Sequence, residues 1–156
     1  MSKKYIEKHV DEIVKDDKYE FPLNMAMGTV WILGNLKGIN LKVISVKEKS
    51  SLTDYFVLAS SSNTVLSRSM ADEIITQMKR CGMKLLSQEG KNDADWILLD
   101  FGDIIVHIFL ESKRDIYNFD ELWSDSESID IPHEYYFSSE DEGLEASSET
   151  SKKSYF

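Results

Sequence analysis

The chain has 156 residues, enough for one domain with a sizeable core and short extensions, and its 28 acidic against 18 basic residues give a formal charge of −10. Such a surface repels phosphate, which argues against a direct sequence-specific grip on nucleic acid and suits docking on a basic protein. No apolar run approaches bilayer length, no basic-then-apolar leader follows Met1, and the lone Cys81 rules out an intramolecular disulfide or a cysteine-based zinc site, so a cytoplasmic α/β domain without membrane contact is expected.

Residues 3 to 20 carry Ile6, Val10, Ile13 and Val14 at helical spacing with Lys, Asp and Glu opposite. They predict an amphipathic helix resting on the domain, within an N-terminal extension over residues 1–21. Pro22 stands where a second helix begins, and Met25, Ala26, Val30, Trp31, Ile32, Leu33 and Leu36 support that helix up to Gly38. Leu41 to Val46 reads as the first strand. After a Ser-rich turn, Tyr55 to Ala59 reads as the second. Ser60 to Thr64 offers N-cap residues ahead of Leu66, Met70, Ile74 and Met78, which recur every fourth residue, and Lys79 and Arg80 precede Gly82 as expected of a helix end. Met83 to Leu86 predicts a short strand.

The densest signal is Ala94 to Phe109, where two apolar runs flank Asp100-Phe101-Gly102-Asp103 and predict a β-hairpin. Both runs are apolar on both faces, a pattern of central strands covered by helices from either side. Ser112 to Trp123 places Ile116, Tyr117, Phe119, Leu122 and Trp123 toward one side of a helix that would cover the sheet or its edge. The α/β domain is thus expected over residues 22–124. From 125 to 156 nine acidic residues face only Lys152 and Lys153, and a disordered acidic tail is expected. Its island Ile131 to Phe137 suits either docking on the domain or on a partner, or only transient contact.

Four polar groups in or beside the hairpin, Asp95, Asp100, Asp103 and His107, invite a chemical reading. Asp100-Phe101-Gly102 matches the metal-binding triplet of protein kinases, but the Gly-rich loop and catalytic-loop set are absent. Gly102 is explained by a turn that needs positive φ. Asp93 and Asp95, with Asp100 and Asp103, would suit magnesium in phosphoryl or nucleotidyl transfer, yet no phosphate-cradling loop accompanies them, and strand-end aspartates ordinarily cap turns or stay solvated. His107 has no visible His partner, so a structural role in the strand is favoured over metal binding or general-base catalysis. No Gly-x-Ser-x-Gly elbow is present. Trp96 fits an interface anchor and a core filler equally, whereas Trp123 fits the core better.

Taken as a set, Ser51 to Ser60, Ala71-Asp72-Glu73, Glu89-Gly90, Ala94-Asp95-Trp96, Asp100-Phe101-Gly102-Asp103 through His107, and Arg114, Tyr117, Leu122 and Trp123 resemble the Iojap-like ribosomal silencing factor family over about residues 24–124. Ser61-Ser62 and Phe119-Asp120 depart from its pattern, the latter replacing Leu-Glu. The resemblance implies a mixed five-stranded sheet flanked by helices, with nucleotidyltransferase-like topology but no catalysis, and so no cofactor or metal. It implies binding to the large ribosomal subunit through universal large-subunit protein fourteen, with steric exclusion of the small subunit and repression of translation when nutrients are short. On this reading Asp95, Trp96, Asp100, Asp103 and His107 form the contact patch, supported by Tyr117 and Trp123. Family members also self-associate as dimers, which the sequence leaves open. The alternative is a nucleotidyltransferase-like enzyme that uses magnesium and the Asp93 to Asp103 carboxylates.

Overall fold

The computed structural model describes residues 2–137. Helix α1 (Lys3–Val14) is capped by the Ser2 hydroxyl, which accepts the Tyr5 N–H, and it buries Ile6 and Val10. Those two side chains pack in the layer of α2 (Leu23–Asn35), a helix buried on every side from Met25 to Gly34. A helix apolar all round needs cover all round. α1 supplies it on one side and the sheet on the other. Gly34 is required here, because a Cβ at this position would lie 2.1 Å from the Tyr135 carbonyl oxygen.

Strand β1 (Ile39–Ser45) pairs antiparallel with β2 (Tyr55–Ser61), which is buried throughout. Helix α3 (Thr64–Arg80) follows, its N-cap Asn63 accepting the Leu66 N–H at 2.8 Å, and an Arg80–Asp11 ion pair of 2.9 Å ties its end to α1. β3 (Ser87–Glu89), β4 (Trp96–Asp100) and β5 (Ile104–Leu110) form an antiparallel meander. The crossover through α3 brings β5 beside β2 in parallel register, Tyr55 opposite Ile104 and Ser61 opposite Leu110. Arg114–Tyr117 (α4) and Phe119–Leu122 (α5) are single helical turns, preceded by a 3-10 turn at Glu111–Lys113. β6 (Glu127–Ser128) then pairs with β1, and a 3-10 turn at His133–Tyr135 seats Tyr135 in the core beside α2. The strand order is β3-β4-β5-β2-β1-β6.

The hairpin and α3 form where the sequence predicts them. Four features differ. The strand expected at Met83 to Leu86 shifts to Ser87–Glu89, because the Met83 N–H still closes α3 onto the Met78 carbonyl at 2.7 Å and ladder pairing to β4 starts only at Leu86. The sheet has six strands instead of five. The sixth comes from residues 125–137, whose acidic composition reads as tail, yet Ile129, Ile131 and Tyr135 pack on the core; residues 138–156 lie outside the described residues. Finally, the helix expected across Ser112 to Trp123 breaks at Asn118, which takes a left-handed φ of 57°.

That break decides how the sheet is covered. The face carrying Val43, Val57, Ile97, Leu99, Val106 and Ile108 lies under the α1–α2–α3 layer. The opposite face receives only the single turns of residues 111–123, so cover by full helices on both sides does not occur. None of the described helices is long and apolar enough to cross a membrane.

Candidate docking face

Alternation along the strands sends Trp96, Leu98 and Asp100 of β4, Ile105, His107 and Phe109 of β5, and Phe56 and Leu58 of β2 to this second face. The rings there form a continuous sheet of edge and tilted contacts. Phe56 meets His107 at 4.9 Å, Phe119 at 5.2 Å and Trp123 at 5.0 Å; Trp96 meets Phe109 at 5.1 Å and Tyr117 at 4.9 Å. Over the far side of the cluster, Ile116 is 70% exposed, Leu122 72% and Tyr117 40%. These three were expected to line the inner stripe of a helix. The left-handed turn at Asn118 re-aims the chain and leaves them in solvent.

An ion pair between buried Arg114 and part-buried Asp120 fixes this arrangement. Arg114, 5% exposed, donates Nε and Nη2 to the two carboxylate oxygens of Asp120 at 2.9 and 2.8 Å, and Nη1 to the Asn40 carbonyl and the Ser60 hydroxyl. Its guanidinium also lies 5.6 Å from the centre of the Phe109 ring. The Asp120 carboxyl is held well below the usual carboxylate range by the Arg114 hydrogen bonds and by Lys42 at 2.7 Å, against the opposing effect of burial. Arg114 therefore pins α4 and α5 to β1 and β2. In the sequence Arg114 stands out only as part of the family resemblance, because an Arg in an amphipathic segment is ordinarily solvated.

The residues expected in the patch divide into two groups. Trp96, His107, Tyr117 and Trp123 come together on the aromatic face, with Asp95 at the entry to β4, where its carbonyl accepts the Leu110 N–H at 2.9 Å. Asp100 and Asp103 sit at the β4–β5 turn. Five residue steps along the strand separate Asp95 from Asp100, about 17 Å at the usual rise. Asp100 Oδ1 accepts the Gly102 N–H at 2.8 Å, and Gly102 has φ 90°, so this carboxylate shapes the turn. Asp103 is exposed. The Asp93 carboxylate accepts the Asp95 N–H at 3.2 Å. Among the described residues, no three His, Cys, Asp or Glu side chains converge to hold a metal.

His107 is 2% exposed. The Trp96 indole N–H donates to its Nδ1 at 3.1 Å, so the neutral ring carries its proton on Nε2, which is buried without a hydrogen-bond partner. Burial, helped by the nearby Arg114 charge, lowers its pKa to about 3. The histidine thus positions Trp96 and stays neutral. Trp123, half-buried against Phe56, likewise has a buried indole N–H without a partner.

The model described as "Ribosomal silencing factor during starvation" matches residues 22–155. The chain belongs to this family. It is 38% identical over 92 residues to the ribosomal silencing factor RsfS of Haemophilus influenzae, an alignment covering 59% of this chain and 90% of that protein. It is 30% identical over 125 residues to the chloroplastic protein Iojap of Zea mays, covering 78% of this chain but only 53% of the maize protein. A crystal structure from Bacillus halodurans superposes with a TM-score of 0.59 at 25% identity, covering 70% of this chain and 96% of that one. As a member of this family the protein is a ribosomal silencing factor, and its matched region begins after α1.

Proposed function

We propose that the half-open aromatic face is the surface by which this chain docks on the large ribosomal subunit in the cytoplasm. Its partner is a basic ribosomal protein, the universal large-subunit protein fourteen, and its effect is steric: the bound domain keeps the small subunit from joining and so represses translation. The observation that carries the reading is the exposure of Ile116, Tyr117 and Leu122 on the turns after β5, Tyr117 lying against half-buried Trp96, on a chain of net charge −10. Apolar and aromatic anchors supply most binding energy at an interface, and surrounding carboxylates steer a basic partner into register. Glu111, Asp115 and Glu121 on the single turns, and Asp103 at the hairpin, are exposed and available for that role. A mouse relative, 31% identical over 85 residues, is named mitochondrial assembly of ribosomal large subunit protein 1, which supports a large-subunit partner.

Co-sedimentation tests this directly. The purified chain should pellet with isolated large subunits and not with small subunits, and Leu122→Asp should lose most of that binding while remaining folded. A chain that stays in the supernatant with large subunits in excess would contradict the proposal.

A further inference from the structure

The last described residues lie beside the docking face. Tyr136, 38% exposed, lines an open groove of about 600 Å³ together with Asn40, Leu41, Glu111, Arg114 and Asp115, and the Lys37 ammonium lies 5.1 Å from the centre of the neighbouring Phe137 ring. Ile116 follows Asp115 directly, so the turns that expose Ile116, Tyr117 and Leu122 begin at this groove. Six residue steps separate Ile116 from Leu122, which bounds the patch at about 20 Å.

The turns carry free charge of mainly one sign. Arg114 and Lys42 are both taken up by Asp120. Glu111, Asp115 and Glu121 are exposed, and among the described residues none of them forms an ion pair. Against these three carboxylates, residues 111–123 set only half-buried Lys113. A negative surface studded with exposed apolar side chains matches an occupant that is both basic and aromatic.

The chain carries such a segment. Nineteen residues follow Phe137. Residues 138–149 hold five acidic side chains and no basic one, the sign of the face itself, so like charge disfavours their contact with it. Lys152-Lys153-Ser154-Tyr155-Phe156 is the reverse, with two adjacent cations, two aromatic rings and no acid. The fifteen residue steps from Phe137 to Lys152 reach up to about 50 Å, more than twice the width of the patch.

We propose that residues 152–156 dock on the face of their own chain, the two lysines against Glu111, Asp115 and Glu121, and Tyr155 and Phe156 against Ile116 and Leu122. They carry the chemistry proposed above for the ribosomal partner and compete with it, a consequence that rests on the docking reading. A weak contact suffices, because tethered groups meet their sites at effective concentrations on the order of millimolar. A face covered about two-thirds of the time binds its partner with about threefold lower apparent affinity.

A nitroxide on Ser154→Cys, in a Cys81→Ser background that leaves one thiol to label, tests the contact in the full chain. Paramagnetic broadening is expected at the amides of residues 111–123 and spared at residues 64–80, and Lys152→Glu with Lys153→Glu should abolish it. Broadening spread evenly over the domain or centred elsewhere would overturn the proposal. So would broadening passed from spin-labelled to separate isotope-labelled chains in a mixture, which would seat the segment on a second copy. Co-sedimentation reads the competition. Tyr155→Ala with Phe156→Ala, which leaves the net charge unchanged, should bind large subunits about threefold more tightly than the wild-type chain. Equal or weaker binding by that variant overturns the competition. Should neither chain bind large subunits, the docking reading and the competition both fall, while the broadening still decides the contact.

Discussion

The Trp96 indole N–H donates to Nδ1 of His107 across the β4–β5 ladder, joining two residues of one face that stand diagonally, two residues off direct register. This bond orients one of the two indoles of the candidate docking face. It also holds His107 as a neutral acceptor in a site where burial and Arg114 both disfavour its charged form.

A pH dependence of stability follows. His107 has a folded pKa of about 3 against an ordinary value near 6.5, so between these limits the unfolded chain binds the extra proton and stability rises with pH. The contribution is complete above about pH 6.5 and is lost as pH falls toward 3. The unfolding free energy from urea titrations should therefore drop by on the order of 2 kcal/mol between neutral pH and about pH 5. His107→Asn, which keeps an acceptor near the Nδ1 position, should flatten that slope. Asp120 adds its own loss only lower, as pH falls through the ordinary carboxylate range near 4, because its folded value is depressed.

Arg114→Ala should destabilise the fold by about 2–3 kcal/mol, since it leaves the Asn40 carbonyl and the Ser60 hydroxyl without their shared donor and the part-buried Asp120 carboxylate with Lys42 alone. Hydrogen exchange should accelerate most across residues 111–123. Arg114→Lys should recover little, because an ammonium cannot reproduce the fork.

Gly34→Ala tests the docking of the chain after β6. The added methyl would meet the Tyr135 carbonyl at 2.1 Å, against backbone rather than a flexible side chain. A cost of about 1–3 kcal/mol is expected, with faster exchange at residues 129–135. For the same reason a truncation at residue 125 removes β6 and Tyr135 and lowers stability, whereas a truncation after 137 should leave ribosome binding largely intact.

Charge reversal separates the two groups of aspartates. Asp100→Lys loses the acceptor for the Gly102 N–H and should cost about 1 kcal/mol in stability, which confounds a binding assay. Asp103→Lys, at an exposed turn position, should leave stability within about 0.5 kcal/mol and report on binding alone. Slower association that salt suppresses would mark it as a steering charge.

Much of the fold is legible in the residues themselves. The β-branched runs around Gly102, and the four-residue recurrence of Leu66, Met70, Ile74 and Met78, each admit one local structure. β3 was misplaced because Ser87, Gln88 and Glu89 have no apolar alternation; their pairing is imposed by β4. Residues 127–135 were masked by acidic composition, although Ile129, Ile131 and Tyr135 carry the packing. The site was half legible. Residue type offers Trp96 as an anchor for the candidate face, whereas Tyr117 and Trp123 enter it only through the family resemblance. The outward aim of Ile116 and Leu122 depends on a single left-handed residue, Asn118, and the burial of Arg114 depends on partners 54 and 74 positions away, neither of which local spacing reveals.

The central claim is steric exclusion by the aromatic face, and subunit joining followed by light scattering measures it most directly. Adding the wild-type chain to large subunits before small subunits should suppress joining in proportion to occupancy. Tyr117→Ala with Leu122→Asp should restore joining to the level without the factor, at unchanged thermal stability. Full suppression by that double variant, or unhindered joining with wild-type chain bound, would contradict the account.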